Sequence, residues 1–391
     1  MHSFFRYFKP RYYIVYIWLA ALAIYFAHLY FDNGPITKYA QGIVDVINIA
    51  CLIYCWTLPM PRKVKAITTP MILLTVCVII YYFFSPKTKV IFHGDLASSF
   101  QQLKLFLFCC TSMFPAMCFT KRGLLDINIF KVFFLFLVFF SIISFFDFRL
   151  FLQEEAGVEN GPNNISYLVV TIFPLCFFLN KPMRYIYIII CLGIVFIGGK
   201  RGAIVLSFVL LAYTVLKDIL KNGIYTKLIV VVFAIIIYQI INSDYMDFFQ
   251  FGVDRLGESG SSGRDTIAKD IINGMVNGPL IHWIIGYGSI GSTIFADNFA
   301  HNDWLEFLVD YGLIGFSLYF LFYWGLYRFY RFVPKQNIMT RDLLASSLMV
   351  FAVKSMFSMC FFTIETAPVF VVLGYVIINY CQNEKNSIIY R

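Results

Sequence analysis

Residues 185–215, YIYIIICLGIVFIGGKRGAIVLSFVLLAYTV, place a lysine and an arginine, Lys200 and Arg201, between two nearly unbroken apolar runs. A run of about 20 apolar residues crosses the hydrocarbon core of a bilayer, so two runs joined by a short glycine-rich turn read as a transmembrane helical hairpin. The pattern recurs along the chain. Apolar segments of roughly 17–22 residues lie near 12–31, 42–60, 67–84, 103–119, 129–147, 164–180, 184–198, 202–216, 226–241, 311–329, 343–363 and 366–380. Composition agrees: 60% of residues are hydrophobic, 14% are charged and the mean hydropathy is +0.75. These values exclude an ordinary soluble protein. The expected fold is all-α and polytopic, with about twelve transmembrane helices and one long loop that contains amphipathic helices.

Lysine and arginine in the short loops set the orientation. The N-terminus carries Arg6, Lys9 and Arg11, and every second loop after it is basic: Arg62/Lys63/Lys65, Lys121/Arg122/Lys131, Lys181/Arg184, Lys217/Lys221/Lys227 and Arg328/Arg331/Lys335/Arg341. That face is expected to be cytoplasmic and to hold both termini. The net charge of +9 then follows from membrane topology rather than from a nucleic-acid partner. The first span is too long for the apolar core of a cleavable signal peptide. The ten cysteines sit in or at the ends of apolar spans, as small hydrophobes rather than as a disulfide or zinc framework.

Three regions follow: a bundle of about nine spans over 1–241, an outer loop over 242–310 and a bundle of about three spans over 311–391. The loop contains SGRDTIAKDIINGMV, where Ile267, Ile271, Ile272, Met275 and Val276 recur at helical spacing. This predicts an amphipathic helix at the membrane surface. A glycine-rich turn, GYGSIGS, follows it, then AHNDWLEFLVDYGLIG.

On this topology the GGKRGA turn faces outward, against the positive-inside trend. Glycines flanking Lys200 and Arg201 let the backbone approach a bound group closely, and interfacial cations mark anion sites. Arg264 opens the loop helix, whose free N–H groups also favour anions; Arg255 is a weaker candidate of the same kind. His301 suits a general base at neutral pH, with Asp303 and Glu306 close enough in sequence to orient or tune it. Lys354, alone within a span, is costly there unless it serves a function, and Asp45 is a candidate partner.

GGKRGA, SGRDTIAKDIINGMVNGPLIHWIIGYGSIG and AHNDWLEFLVDYGLIG together resemble the signature stretches of the O-antigen ligase/polymerase superfamily, and GPNNISYLVV (161–170) resembles its Pro-Asn start of a span. The resemblance covers roughly residues 160–325; it departs after Pro279, where LIHWII separates that proline from Gly286. It implies a GT-C-like membrane glycosyltransferase acting on undecaprenyl-diphosphate-linked glycans, as donor and acceptor, at the periplasmic face of a bacterial inner membrane. Arg201 and Arg264 would grip the donor diphosphate, and His301 would deprotonate the acceptor hydroxyl. Lys200, Arg255, Asn302, Asp303, Glu306 and Lys354 would line the substrate site. The resemblance implies no metal and no cofactor: metal-dependent relatives keep acids in the first outer loop, where residues 32–41 offer only Asp32. It admits a chain-length regulator protein as a further partner.

Polymerase is the leading expectation. A ligase transferring the chain to lipid A-core shares the motifs. A lipid-linked oligosaccharide flippase would instead show halves with matched broken helices. A hydrolase would use paired carboxylates such as Glu154/Glu155/Glu159, but a local acidic run reads better as a solvated loop.

Overall fold

A computed structural model describes residues 13–28, 35–85, 89–92, 95–152, 161–221, 263–296 and 298–389. The expected span 226–241, Arg255, Asp32 and the Glu154/Glu155/Glu159 run lie outside the described residues. The helices are α1 (Tyr13–His28), α2 (Pro35–Thr57), α3 (Arg62–Phe84), α4 (Ser99–Cys110), α5 (Met113–Lys121), α6 (Ile127–Leu152), α7 (Gly161–Thr171), α8 (Lys181–Gly198) and α9 (Arg201–Lys221). They continue with α10 (Arg264–Asn277), α11 (Leu280–Ile285), α12 (Thr293–Ala296), α13 (Asp303–Phe332), α14 (Ile338–Phe357) and α15 (Ala367–Ile389). A small antiparallel hairpin, β1 (Lys89–Phe92) with β2 (Asp95–Ser98), joins α3 to α4 and pairs Lys89 with Ser98 and Phe92 with Asp95.

The chain is a polytopic helical membrane protein. Among the described residues seven helices are long and apolar enough to cross a membrane: Pro35–Thr57, Arg62–Phe84, Ser99–Lys121, Ile127–Phe146, Lys181–Gly198, Asp303–Phe332 and Ile364–Glu384. Several expected spans have a different form. The 103–119 segment breaks at Thr111 into α4 and α5. The carbonyls freed near the break find partners elsewhere: Leu107 and Phe108 each accept from Asn48 Nδ2 at 3.3 Å, and Leu107 also accepts from the Thr111 hydroxyl. Asn48, fully buried on α2, takes the Trp18 indole N–H at 3.1 Å and so ties α1, α2 and α4 together. The 164–180 segment is α7 followed by a 3-10 turn, Phe173–Phe178. The 343–363 segment ends as a helix at Phe357, and the chain reaches α15 through an irregular stretch and a 3-10 turn, Ile364–Thr366.

The other large difference lies at α13. The 311–329 span begins as a helix at Asp303, inside the sequence expected to be outer loop, and bends at Gly312, where φ is +63°. Gly312 and Gly286 (φ +76°) interlock: a Cβ on either would strike the other segment's backbone. Gly325 against Ala66 and Gly374 against Met113 allow similarly close helix crossings, the use membrane helices make of small residues.

The loops read as basic meet at one end. Lys63 lies 3.5 Å from Glu384, Lys181 lies 3.5 Å from Asp218, Lys217 pairs with Asp342, and Gln382 donates to the Lys121 carbonyl at 3.0 Å. The α8–α9 turn, α10 to α12 and the start of α13 gather at the other end. One buried core extends from Val15 to Tyr380. A smaller cluster of Ile271, Met275, Ala300 and Val309 seats α10 on α13. The apolar stripe of α10 is therefore largely turned toward protein, and of its five expected residues only Ile272 and Val276 are exposed.

Gly374→Val is expected to lower stability by about 1–3 kcal/mol through overpacking against α5, whereas Gly42→Ala, with open space around it, is neutral or slightly stabilising. Thermal unfolding of the detergent-solubilised protein measures both.

Candidate active site

The two glycines around Lys200 and Arg201 have different work. Gly199 ends α8 in the left-handed conformation (φ +62°), its N–H bonded to the carbonyls of Val195 and Phe196, which is a glycine helix cap. Gly202 lies where α9 meets α7 and α14: a Cβ there would collide with the Tyr167 hydroxyl and stand 2.8 Å from the Phe357 Cβ. The close approach inferred for a bound group is thus made to protein at Gly202. The packing delivers Lys200 and Arg201 to the ends of α7 and α14. Both are half-buried, and the Arg201 Nε is enclosed.

Arg264 is the first residue of α10, after Gly263 in the left-handed conformation (φ +76°). Its guanidinium donates to the Phe357 carbonyl, one of the carbonyls that the C-terminus of α14 leaves without helical partners. Asn302 caps α13, accepting the Leu305 N–H at 3.2 Å, and its amide reaches the Met356 carbonyl at 3.5 Å. The same C-terminal turn of α14 therefore receives both α10 and the start of α13.

His301 stands between these contacts with φ +50°, a left-handed conformation rare for a side-chain-bearing residue. Its neighbours impose it. The Ala300 N–H donates to Glu306 Oε2 at 2.8 Å, and the Asn302 carbonyl accepts the Glu306 N–H at 2.9 Å. With both flanks tied to the first turns of α13, the single residue between them makes the bend. The imidazole is held down to about 4, first by burial and then by the positive charges of Arg264 and Lys200. It is neutral at pH 7 and next to two cations.

Lys354 lies beneath. Its side chain is 1% exposed and pairs with Glu365 at 3.8 Å, while its ammonium also donates to the Met359 carbonyl at 3.1 Å and to the Thr363 hydroxyl. Glu365, not Asp45, is the partner: Asp45 sits on α2, where Lys104 is the cation that acts on it. Lys354 and Lys200 both stand over the Tyr167 ring, at 5.2 and 5.7 Å from its centroid, close enough for cation–π attraction. Tyr167 thus connects the buried lysine with the turn lysine.

Lys200, Arg264, His301, Asn302 and Lys354 therefore come together, and Arg201 stands next to Lys200 at the first turn of α9, which Gly202 seats against Tyr167 and Phe357. Asp303 and Glu306 are fully buried and support them from behind. Asp303 Oδ2 accepts the Cys360 N–H at 2.8 Å and the Tyr319 hydroxyl at 3.3 Å. Glu306 accepts the Ser292 hydroxyl at 2.8 Å in addition to Ala300. Both hold loops in place, so their contacts are with protein rather than with open space in the site. Tyr167 and Glu365 were missed in the sequence reading. The signal for Glu365 was present: one acid and one base in an otherwise apolar C-terminal tract.

Among the described residues no group of three or more His, Cys, Asp or Glu side chains is placed to hold a metal. The cysteines are free, and all but Cys381 are buried. The cluster can bind an anion against several cationic donors and present a neutral imidazole beside it. Compared with known proteins, the chain matches no family model and no curated sequence.

Glu306→Ala leaves the Ser292 hydroxyl and the Ala300 N–H without their acceptor, and a stability loss of about 2–5 kcal/mol is expected. Glu306→Gln keeps an acceptor oxygen and loses less. Denaturation of the purified protein compares the two.

Proposed function

We propose that the chain is a membrane glycosyltransferase that polymerises a surface polysaccharide of the O-antigen kind. It moves the growing glycan from undecaprenyl diphosphate to a hydroxyl of another lipid-linked repeat unit. In this reading the bundle is GT-C-like with about twelve spans, the basic end and both termini are cytoplasmic, and the cation cluster faces the periplasm of a bacterial inner membrane. The observation that carries the proposal is convergence. Arg264 and His301, from two separate motifs, meet with Lys200 and Lys354 near the C-terminal end of α14, where Gly202 also seats the first turn of α9, the turn that begins with Arg201.

The chemistry follows from the residue types. An acceptor hydroxyl loses its proton to the neutral His301 imidazole as its oxygen attacks the anomeric carbon from the face opposite the leaving group. The bond from that carbon to the phosphate oxygen breaks, the electron pair leaves with the diphosphate, and the anomeric configuration inverts. Arg201 and Arg264 stabilise the charge that gathers on the diphosphate; guanidinium forks match phosphate oxygens, and one such donor is worth about 3–4 kcal/mol in a transition state. Lys200 adds a second cation at the turn. Lys354, paired and deeply buried, acts through Tyr167 on the position of Lys200.

Arg201→Ala, Arg264→Ala and His301→Ala are each expected to slow chain extension by about 10²–10³-fold while the protein remains inserted. Expression in a polymerase-null host and in a ligase-null host, read on lipopolysaccharide ladders, tests this. Long chains restored only in the first host support a polymerase, and rescue only in the second indicates a ligase. Normal ladders from all three variants contradict the proposal.

A pH profile provides a second test. Because His301 titrates at about 4, its base form persists through mildly acid pH. The acid limb of kcat/KM is expected near pH 4 rather than at the ordinary histidine value of about 6.5. Lys200→Met removes one opposing cation and moves that limb upward.

A further inference from the structure

α11, the LIHWII segment that interrupts the motif spacing, is turned inside out for an element outside the spans. Its aliphatic side chains are the exposed ones: Leu280 is 78% exposed, Ile281 52%, Ile284 45% and Ile285 40%. Its ring side chains face protein instead. His282 Nδ1 lies 2.8 Å from the Gly286 carbonyl oxygen and its ring stacks on Tyr287 at 4.2 Å, while the Trp283 N–H donates to the Met275 carbonyl at 3.0 Å. In water four exposed aliphatic side chains on six residues are unfavourable, at about 25 cal/mol per Å² of apolar surface.

The position of α11 is fixed by backbone contacts. The Tyr287 and Gly288 N–H groups donate to the Val309 and Asp310 carbonyls at 2.8 and 2.9 Å, and the Tyr81 hydroxyl donates to the Ile285 carbonyl. With the Gly286–Gly312 interlock, these contacts seat α11 on the site-bearing ends of two spans, α3 and α13. The apolar surface continues down those spans through exposed Ile80, Phe83, Phe84, Leu313 and Ile314. Between them a groove of about 720 Å³ opens, lined by Leu73, Val76, Cys77 and Leu318 among others.

We infer that α11, with Ile272 and Val276 of α10, is embedded in the acyl-chain boundary of the membrane, and that its partner is bilayer lipid. Continuity with the lipid-facing surface of α3 and α13 selects this occupant. The membrane-contacting element of the loop is then chiefly α11, because most of the α10 stripe is covered by protein. The bilayer surface would then lie close to the start of α13, at the depth where a lipid-borne phosphate meets Arg264 and His301. The placement of α11 does not depend on the reaction assigned to the site.

The test uses the full chain in lipid nanodiscs, with a nitroxide label on Ile281→Cys, on Leu280→Cys and, as an aqueous reference, on Asp270→Cys, which is exposed on the face of α10 away from Ile272 and Val276. A Cys381→Ser background removes the one cysteine that is not buried, and the unsubstituted background protein reports residual labelling. Collision with oxygen and with a water-soluble nickel chelate is read by power saturation. The expected result is several-fold greater accessibility to oxygen than to nickel at 280 and 281, with the order reversed at 270. Preferential nickel access at 280 and 281 overturns the inference. Occlusion from both reagents there also overturns it, in favour of a second protein surface, such as another copy of the chain, covering α11.

Discussion

Three carboxylates on α13 organise the end of the bundle that carries the candidate site. Asp303, Glu306 and Asp310 stand at i, i+3 and i+7, one stripe of a helix, and all three are fully buried. Each takes donors from other segments. Asp303 holds the Cys360 N–H, and Glu306 holds Ser292 and Ala300. Asp310 holds the Gln102 amide of α4 at 2.8 Å and the N–H groups of Ile290 and Ser292 at 3.3 and 3.4 Å. Carboxylates withdrawn from water cost several kcal/mol each without such partners. Helix and loops therefore hold one another, and the left-handed turn at His301, with a strain of about 1–3 kcal/mol, persists because both of its flanks are bonded to that helix.

That arrangement explains why the site gathers where it does. Lys200 and Arg201 arrive through the α8–α9 turn, which the Gly202 contact seats against Tyr167 and Phe357. Arg264 and Asn302 both reach carbonyls in the last turn of α14. Like charges brought together raise the energy of the empty site and lower that of an anionic complex. The same field disfavours a second proton on His301, so one arrangement both favours a bound anion and keeps the imidazole in its base form.

Much of this was legible in the sequence, for identifiable reasons. Apolar runs of membrane length and alternating basic loops set the helical membrane class, since both depend only on local composition. Arg201, Arg264 and His301 stood out because each interrupts an apolar or small-residue context. What was not legible depends on long-range partners. The break at Thr111 is supported by Asn48 on another helix, and no local signal announces that rescue. Asp303 and Glu306 looked like companions of His301 because they are near it in sequence, but helical geometry points them inward to loops. Asp45 was the partner expected for Lys354, but the stretch after Phe357 brings Glu365 to it instead.

The central claim is that Arg201 and Arg264 form one diphosphate site beside His301. Its most direct test is the affinity of the purified protein in nanodiscs for undecaprenyl diphosphate, against undecaprenol, in the unsubstituted chain, in Arg201→Ala, in Arg264→Ala and in the double variant. A charge-assisted contact worth about 1.5–3 kcal/mol corresponds to roughly ten- to hundred-fold in affinity. The account predicts a clear preference for the diphosphate, a loss of that order in each single variant and no preference in the double variant. Unchanged diphosphate affinity in the double variant would contradict it.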